Sequence, residues 1–359
     1  MNLRRAAWLA LFLCSLPALP ARAQDKQNAD AAAEARALYE QGIKLADAGE
    51  YVRAIDSYAR AVADAPDMAD AHNALCVAYA ALERYDEAVG SCARALSLRP
   101  DYFVAEQNLG EVYDAMGREG EAVEALEKAA NLAPASADLL CRLGRVYAKA
   151  GRRAEAVETL KKSVELQPDY LKAILNLGSV YYDEGRFEES ADALRLALRL
   201  KAEQPEVLSS LGVVYNSMGR YEEAAAALKQ ALLLRPDYGA AYVQLGYSYL
   251  KLKRFREACG ASERAVALLP GDVHAYNNLG VALSNTGRRR EAVEVLNKAL
   301  SLGPDVAEVR YNLSVVYLEM KDRGAALEQQ RALEGLNPSL AARLFDLIYK
   351  DRVINVSHK

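Results

Sequence analysis

Five carboxamides share one register in this sequence. Asn108, Asn176, Gln244, Asn278 and Asn312 are separated by thirty-four residues or by twice that number. A carboxamide donates and accepts hydrogen bonds at once, so such a row can hold an extended peptide by its backbone without reading its side chains. The same residues also serve as ordinary polar filling on a helix surface, and both readings stay open at this point. Other chemistry is sparse. The three histidines, His72, His274 and His358, lie far apart, and no Cys/His group has metal-ligand spacing. The acid pairs Glu188-Glu189 and Glu222-Glu223 fall where helices should begin, and there they complement the helix dipole. The expectation is therefore no catalytic residue, no metal site and no cofactor.

The elements that must position the carboxamides recur with the same step. Glycine stands at Gly42, Gly110, Gly144, Gly178, Gly212, Gly246 and Gly280, with Cys76 and Ser314 in the two remaining places. Tyrosine follows three residues later at Tyr79, Tyr113, Tyr147, Tyr181, Tyr215, Tyr249 and Tyr317. Proline closes the unit at Pro66, Pro100, Pro134, Pro168, Pro236, Pro270, Pro304 and Pro338. Nine copies fit without insertion or deletion: 35–68, 69–102, 103–136, 137–170, 171–204, 205–238, 239–272, 273–306 and 307–340. A period held that long marks a repeat architecture.

Within a copy the spacing predicts helix-turn-helix. In the sixth, Leu208, Leu211, Gly212 and Tyr215 share one face of a first helix. Gly219 suits the left-handed residue that ends it. Ala224, Leu228 and Ala231 give the second helix its inward face, and Leu228 with Tyr215 fills the space beside the glycine. Pro236 stops that helix, and Asp237 is a ready N-cap for the next, as are Asp67, Asp101, Asp169 and Asp305. In the fifth copy Ala202 replaces the proline, and Pro205 is suited to the first turn of the following helix.

This pattern resembles the tetratricopeptide repeat family over 35–340. The resemblance implies an all-α, right-handed superhelical solenoid of nine helix-turn-helix repeats with a C-terminal capping helix. It also places groove residues two, five, six, nine and twelve positions into each copy. On that basis Arg145, Tyr182, Tyr247 and Tyr311 join the carboxamides as expected peptide contacts. The carboxamide row looks like the asparagine ladder in the repeat domain of eukaryotic O-linked N-acetylglucosamine transferases, although Ala74, Arg142 and Ser210 interrupt it and no transferase domain follows. Family members that grip chaperone C-termini carry a lysine at the fifth position, and none of the nine copies has one.

The ends differ from the array. Residues 1–23 combine Arg4 and Arg5, an apolar run from Ala6 to Leu16, and Ala21-Arg22-Ala23, the order of a cleavable secretory signal. The run falls short of the ~20 residues of a membrane-spanning helix, so no membrane insertion is expected after cleavage. Residues 24–34 read as a polar lead-in, 341–352 as the capping helix and 353–359 as a disordered tail. Ser339 is the expected cap of that last helix, with Leu340, Leu344, Leu347 and Ile348 as its inward stripe. The ninth copy is polar at Arg310, Ser314, Arg323 and Gln330, as terminal repeats often are.

Export implies an oxidising compartment. Cys76 replaces the packing glycine of the second copy and Cys92 the bulky residue opposite it. They form either a disulfide or a volume-compensating pair of thiols. Losing Arg4, Arg5 and Arg22 takes the formal charge from −4 to −7, which gives nucleic acid no electrostatic footprint. The reading is a non-catalytic, periplasmic or secreted scaffold that holds an extended peptide or partner protein in its concave groove. The alternative is an envelope assembly accessory (pilus, secretion or polysaccharide export) that binds through its convex face or its ends. A subunit associated with a separate catalytic chain is a third possibility. Nothing in the sequence sets an oligomeric state.

Overall fold

The computed structural model describes residues 21–356, so the first twenty residues of the signal expected over 1–23 and the last three residues of the tail lie outside it. The described residues form helices joined by short turns, and the chain divides into two compact units between Arg152 and Arg153, inside the fourth copy. The first unit holds α1 (Ala21–Asp47), α2 (Tyr51–Asp64), α3 (Ala69–Ala81), α4 (Tyr85–Leu98), α5 (Phe103–Ala115), α6 (Glu119–Leu132) and α7 (Ala137–Lys149). The second holds α8 (Arg153–Leu166), α9 (Leu171–Asp183), α10 (Phe187–Leu200), α11 (Pro205–Ser217), α12 (Tyr221–Leu234), α13 (Gly239–Lys251), α14 (Phe255–Leu268), α15 (Val273–Asn285), α16 (Arg289–Leu302), α17 (Ala307–Glu319), α18 (Arg323–Leu336) and α19 (Pro338–Val356).

In the sixth and eighth copies the hairpin closes where a glycine on the first helix lets a leucine on the second come close. A Cβ built on Gly212 would lie 2.6 Å from Leu228 Cγ, and one on Gly280 would lie 2.5 Å from Leu296 Cγ. Ala224, Leu228 and Ala231 are fully buried. The turn between the helices is a tight C-terminal cap. Gly219 has φ +74°, and Arg220 N–H reaches back to the Tyr215 carbonyl at 2.9 Å. In three copies the same left-handed position is held by Glu83, Lys253 or Lys321.

The joints between copies differ from expectation. Asp67, Asp101, Asp169, Asp237 and Asp305 do not cap. The N-cap is the next residue in each case, Met68, Tyr102, Tyr170, Tyr238 or Val306, with no side-chain cap bond. The proline and aspartate instead occupy the centre of a turn, closed at the sixth joint by Tyr238 N–H to the Arg235 carbonyl at 3.2 Å. Side-chain caps occur at Ser136, Asp272 and Asp322. Pro205 does take the first turn of α11.

Both ends are more helical than the sequence suggests. The lead-in 24–34 is continuous with α1, because its alanines and alternating polar residues favour helix. At the other end α19 starts at Pro338, and its cap is Asn337, which accepts from Leu340 N–H at 3.1 Å, in place of Ser339. The helix runs through Val356 and so takes in residues 353–356, the start of the expected tail. Its inward stripe is Ala341, Leu344 and Ile348, while Leu347 is 42% exposed. The polar residues of the ninth copy are satisfied there. Ser314 Oγ donates to the Ala326 carbonyl, Gln330 to Glu334, and Arg323 to the Ile348 carbonyl of α19.

Candidate groove and its polar rows

In the second unit the first helices of successive copies line an open groove of about 860 Å³. The second, fifth, sixth, ninth and twelfth positions of the later copies converge on it. Tyr247, Tyr311 and Tyr182 are half-buried in its walls, with Val213, Val243 and Val281 between them. Gln244, Asn278 and Asn312 lie along it. Six of the expected contacts therefore come together: Gln244, Asn278, Asn312, Tyr182, Tyr247 and Tyr311. Asn176, on α9, is not among the lining residues, and Asn108 and Arg145 belong to the first unit.

Three of the carboxamides have a second role that the sequence does not announce: the NH2 groups of Asn108, Asn278 and Asn312 tie neighbouring copies together. Asn278 Nδ2 donates to the Val243 carbonyl at 3.0 Å, and that partner fixes the side-chain orientation, since a backbone carbonyl only accepts. Asn312 Nδ2 donates to Asn277 Oδ1 at 2.9 Å, and Asn108 Nδ2 to Asn73 Oδ1 at 2.8 Å. Between α11 and α13 the bridge comes from the earlier helix, with Asn216 Nδ2 donating to the Gln244 carbonyl at 3.3 Å and Ser248 Oγ to Asn216 Oδ1 at 2.8 Å.

Groove residues outside the sequence-derived set come mainly from the ends of the elements. Lys251 sits over the Tyr247 ring, 5.1 Å from its centroid, and Arg343 of α19 over Tyr311 at 5.6 Å. Asp272, His274 and Glu308 line the groove at the N-terminal ends of α15 and α17. The last two occupy the second position of a copy, so periodicity alone could have found them. Arg343 has no such signal, because α19 lies outside the repeat.

The corresponding face of the first unit is charged and internally paired. Arg145 donates to Asp114 at 2.6 Å and Lys149 to the same carboxylate at 2.7 Å. Arg142 bonds Asp138 at 2.7 Å and also pairs with Glu111. Burial alone would raise the Asp114 carboxyl, but hydrogen bonds from Lys149 and Arg145 hold it below the usual carboxylate range. Arg145 is thus engaged within the chain. Beside this face α3 and α4 are joined by a disulfide between Cys76 and Cys92, with Cα atoms 5.2 Å apart. Cys141 and Cys259 are buried thiols outside it.

A further row recurs at the hairpin turns. Arg84, Arg118, Arg186, Arg220 and Arg254 each cover the tyrosine five residues earlier, at 4.3 to 4.8 Å from the ring centroid, and each pairs with the glutamate three residues later. Glu189 and Glu223 therefore bind a specific arginine as well as facing a helix dipole.

Sequence models described as tetratricopeptide repeat match residues 67–135, 108–170, 141–205, 205–238, 239–270 and 273–305. No curated protein matches the chain. Among solved structures, a tetratricopeptide repeat protein from Parabacteroides merdae superposes with a TM-score of 0.56 at 17% identity, covering 68% of this chain and 98% of that one. A chain of the APC/C hetero-tetramer Cut9-Hcn1 gives 0.54 at 18%, over 83% and 59%. PilF of Pseudomonas aeruginosa gives 0.51 at 22%, over 61% and 97%. At these identities the likeness is one of fold.

Proposed function

The chain belongs to the tetratricopeptide repeat family, and from that premise we propose that it is a scaffold holding an extended segment of a partner protein in the groove of its second unit. Chains of this family serve as protein-interaction scaffolds, and the fold supplies long binding faces rather than catalytic centres. The observation that carries the proposal is the convergence of Tyr182, Tyr247, Tyr311, Gln244, Asn278 and Asn312 on one open groove. Half-buried tyrosines offer contact area at low entropic cost, and the NH2 groups of Asn278 and Asn312, engaged with neighbouring copies, leave their side-chain carbonyl oxygens as the polar partners for a ligand N–H.

The test is capture of a partner from an envelope extract by wild-type chain and by Tyr247→Ala/Tyr311→Ala. Loss of capture with an unchanged helical signal supports the groove. Full capture by the variant directs attention to the convex face or the chain ends, as for an envelope assembly accessory. The tyrosines are better targets than Asn278, whose amide also ties α15 to α13.

The same reading puts the chain outside the cytoplasm, in the periplasm or secreted. The order of residues 1–23 and the Cys76–Cys92 bond both support it, since lasting disulfides belong to oxidising compartments. Non-reducing peptide mapping of chain isolated from its native cells tests this, and two separately alkylated thiols would contradict it.

A further inference from the structure

Between α9 and α11 the row of amide bridges is broken. The residue on α11 in register with Asn108, Asn278 and Asn312 is Ser210, which has no amide to offer the earlier helix. The place facing it on α9 is Leu175, where other copies have Asn73 and Asn277. Behind this gap lies a pocket of about 380 Å³. Leu175, Tyr182 and Val213 form its walls, and the buried Leu194, Val207 and Val214 its floor.

Two more departures from the repeat fall at this joint and help to open it. Ser190 replaces the alanine of other copies, and its hydroxyl donates to the Gly178 carbonyl at 2.7 Å. Leu194 correspondingly stands off: a Cβ on Gly178 would lie 3.6 Å from Leu194 Cγ, against 2.6 Å for Gly110 and Leu126. The connection from α10 to α11 is also the one that has Ala202 in place of proline.

We infer that this pocket receives one bulky apolar side chain, aromatic or leucine-sized, from the segment lying in the groove, an inference that rests on the groove reading above. Tyr182 and Val213 line both spaces, so a chain in the groove passes the pocket mouth. The volume falls at the small end of the ~300–1,000 Å³ range of ligand pockets. The lining is apolar inside, while Ser179, Ser210 and Glu206 stand exposed at the rim. That arrangement fits a side chain whose own backbone stays outside with polar partners. A row of carboxamides alone would hold a backbone without preference for sequence. The pocket adds that preference at one position.

Indole, standing in for a tryptophan side chain, is the first probe, added to full-length chain carrying labelled valine and leucine methyl groups. Saturable shifts at Leu175, Val207, Val213 and Val214 are expected, and Ser210→Trp should abolish them. Ser179→Leu is the second blocking variant in case the first does not fold. An array of dodecapeptides then tests the anchor. Those that bind should contain a tryptophan, phenylalanine or leucine whose replacement by alanine weakens binding at least about ten-fold, and the blocked chain should lose that dependence. Absence of the methyl shifts overturns the inference. So do shifts with indole but no bound peptide that depends on an apolar residue, which would make the pocket a site for a free small molecule. Peptide binding lost in Tyr247→Ala/Tyr311→Ala yet untouched by Ser210→Trp keeps the groove and removes the pocket. Anchor-dependent binding that survives the double tyrosine variant keeps the pocket and removes the groove.

Discussion

Leu228 packs directly against the bare Cα of Gly212. A methyl group on that glycine would lie 2.6 Å from Leu228 Cγ and 2.9 Å from Cδ2. At Gly178 the nearest atom would be Ala193 Cβ at 3.4 Å, an ordinary contact. Replacing glycine by alanine inside a helix gains roughly 0.5–1 kcal/mol when nothing resists it, while overpacking costs about 1–3 kcal/mol. Gly178→Ala should therefore raise the urea midpoint and Gly212→Ala should lower it. Equal signs for the two would contradict this account of hairpin packing.

Glu83, Lys253 and Lys321 have φ between 58° and 66°, where the other turns use glycine. A side chain in that conformation costs about 1–2 kcal/mol. Lys253→Gly should stabilise the chain by about 1 kcal/mol, and Gly219→Ala should destabilise it by a similar amount. Thermal unfolding followed by circular dichroism measures both, and a lower midpoint for Lys253→Gly would refute the strain.

The glycine, tyrosine and proline rows made the hairpins legible in the sequence, because their spacing follows directly from two helices and a tight turn. The groove was half legible. Tyr247, Tyr311, Gln244, Asn278 and Asn312 follow from position within a copy, but what their neighbours do depends on the adjoining copy thirty-five residues away. That is why the sequence leaves Asn278 open between a peptide contact and surface filling, while the structure makes it a tie between α15 and α13. Asp237 misleads for a local reason: the same residue type suits a cap and the second corner of a proline turn, and only the backbone decides. The arginines at the turns recur in the sequence without drawing notice there, because their purpose needs the tyrosine ring under each guanidinium.

Ser262 stands where the equivalent copies have Leu126, Leu160, Leu194, Leu228 and Leu296, and its buried hydroxyl has no partner. Leaving a buried polar group unpaired costs about 1–3 kcal/mol. Ser262→Ala should stabilise the chain by about 1 kcal/mol or more, offset by little lost volume, and so raise the unfolding midpoint. A fall in the midpoint would mean that the hydroxyl is bonded in solution.

The carboxylates paired at the turns and in the first unit set the acid limit. Hydrogen bonds from Arg84, Arg118, Arg186, Arg220, Arg254 and Arg288 hold the carboxyls of Glu87, Glu121, Glu189, Glu223, Glu257 and Glu291 below their usual range. Asp114 is lowered as well, its two cationic partners outweighing burial. A carboxyl depressed in the folded state stabilises at pH values above its unfolded pKa of about 4, and that contribution fades as pH falls through the folded value. Stability should therefore be flat from neutral pH down to about 5 and decline below about 4. Asp114→Asn should lower stability at pH 7 by on the order of 1 kcal/mol and make the acid decline shallower. A decline that begins near pH 6 would implicate other groups.

The Cys76–Cys92 bond joins the two arms of one hairpin, whereas the amide ties join one hairpin to the next. An array that meets only its neighbours yields to tension piece by piece, and most of its pieces can be drawn out to full contour length. This one cannot: the sixteen-residue separation between the sulfurs stays looped however hard the ends are pulled. Any machinery that threads the chain as a single strand would stall there until a reductant cut the knot.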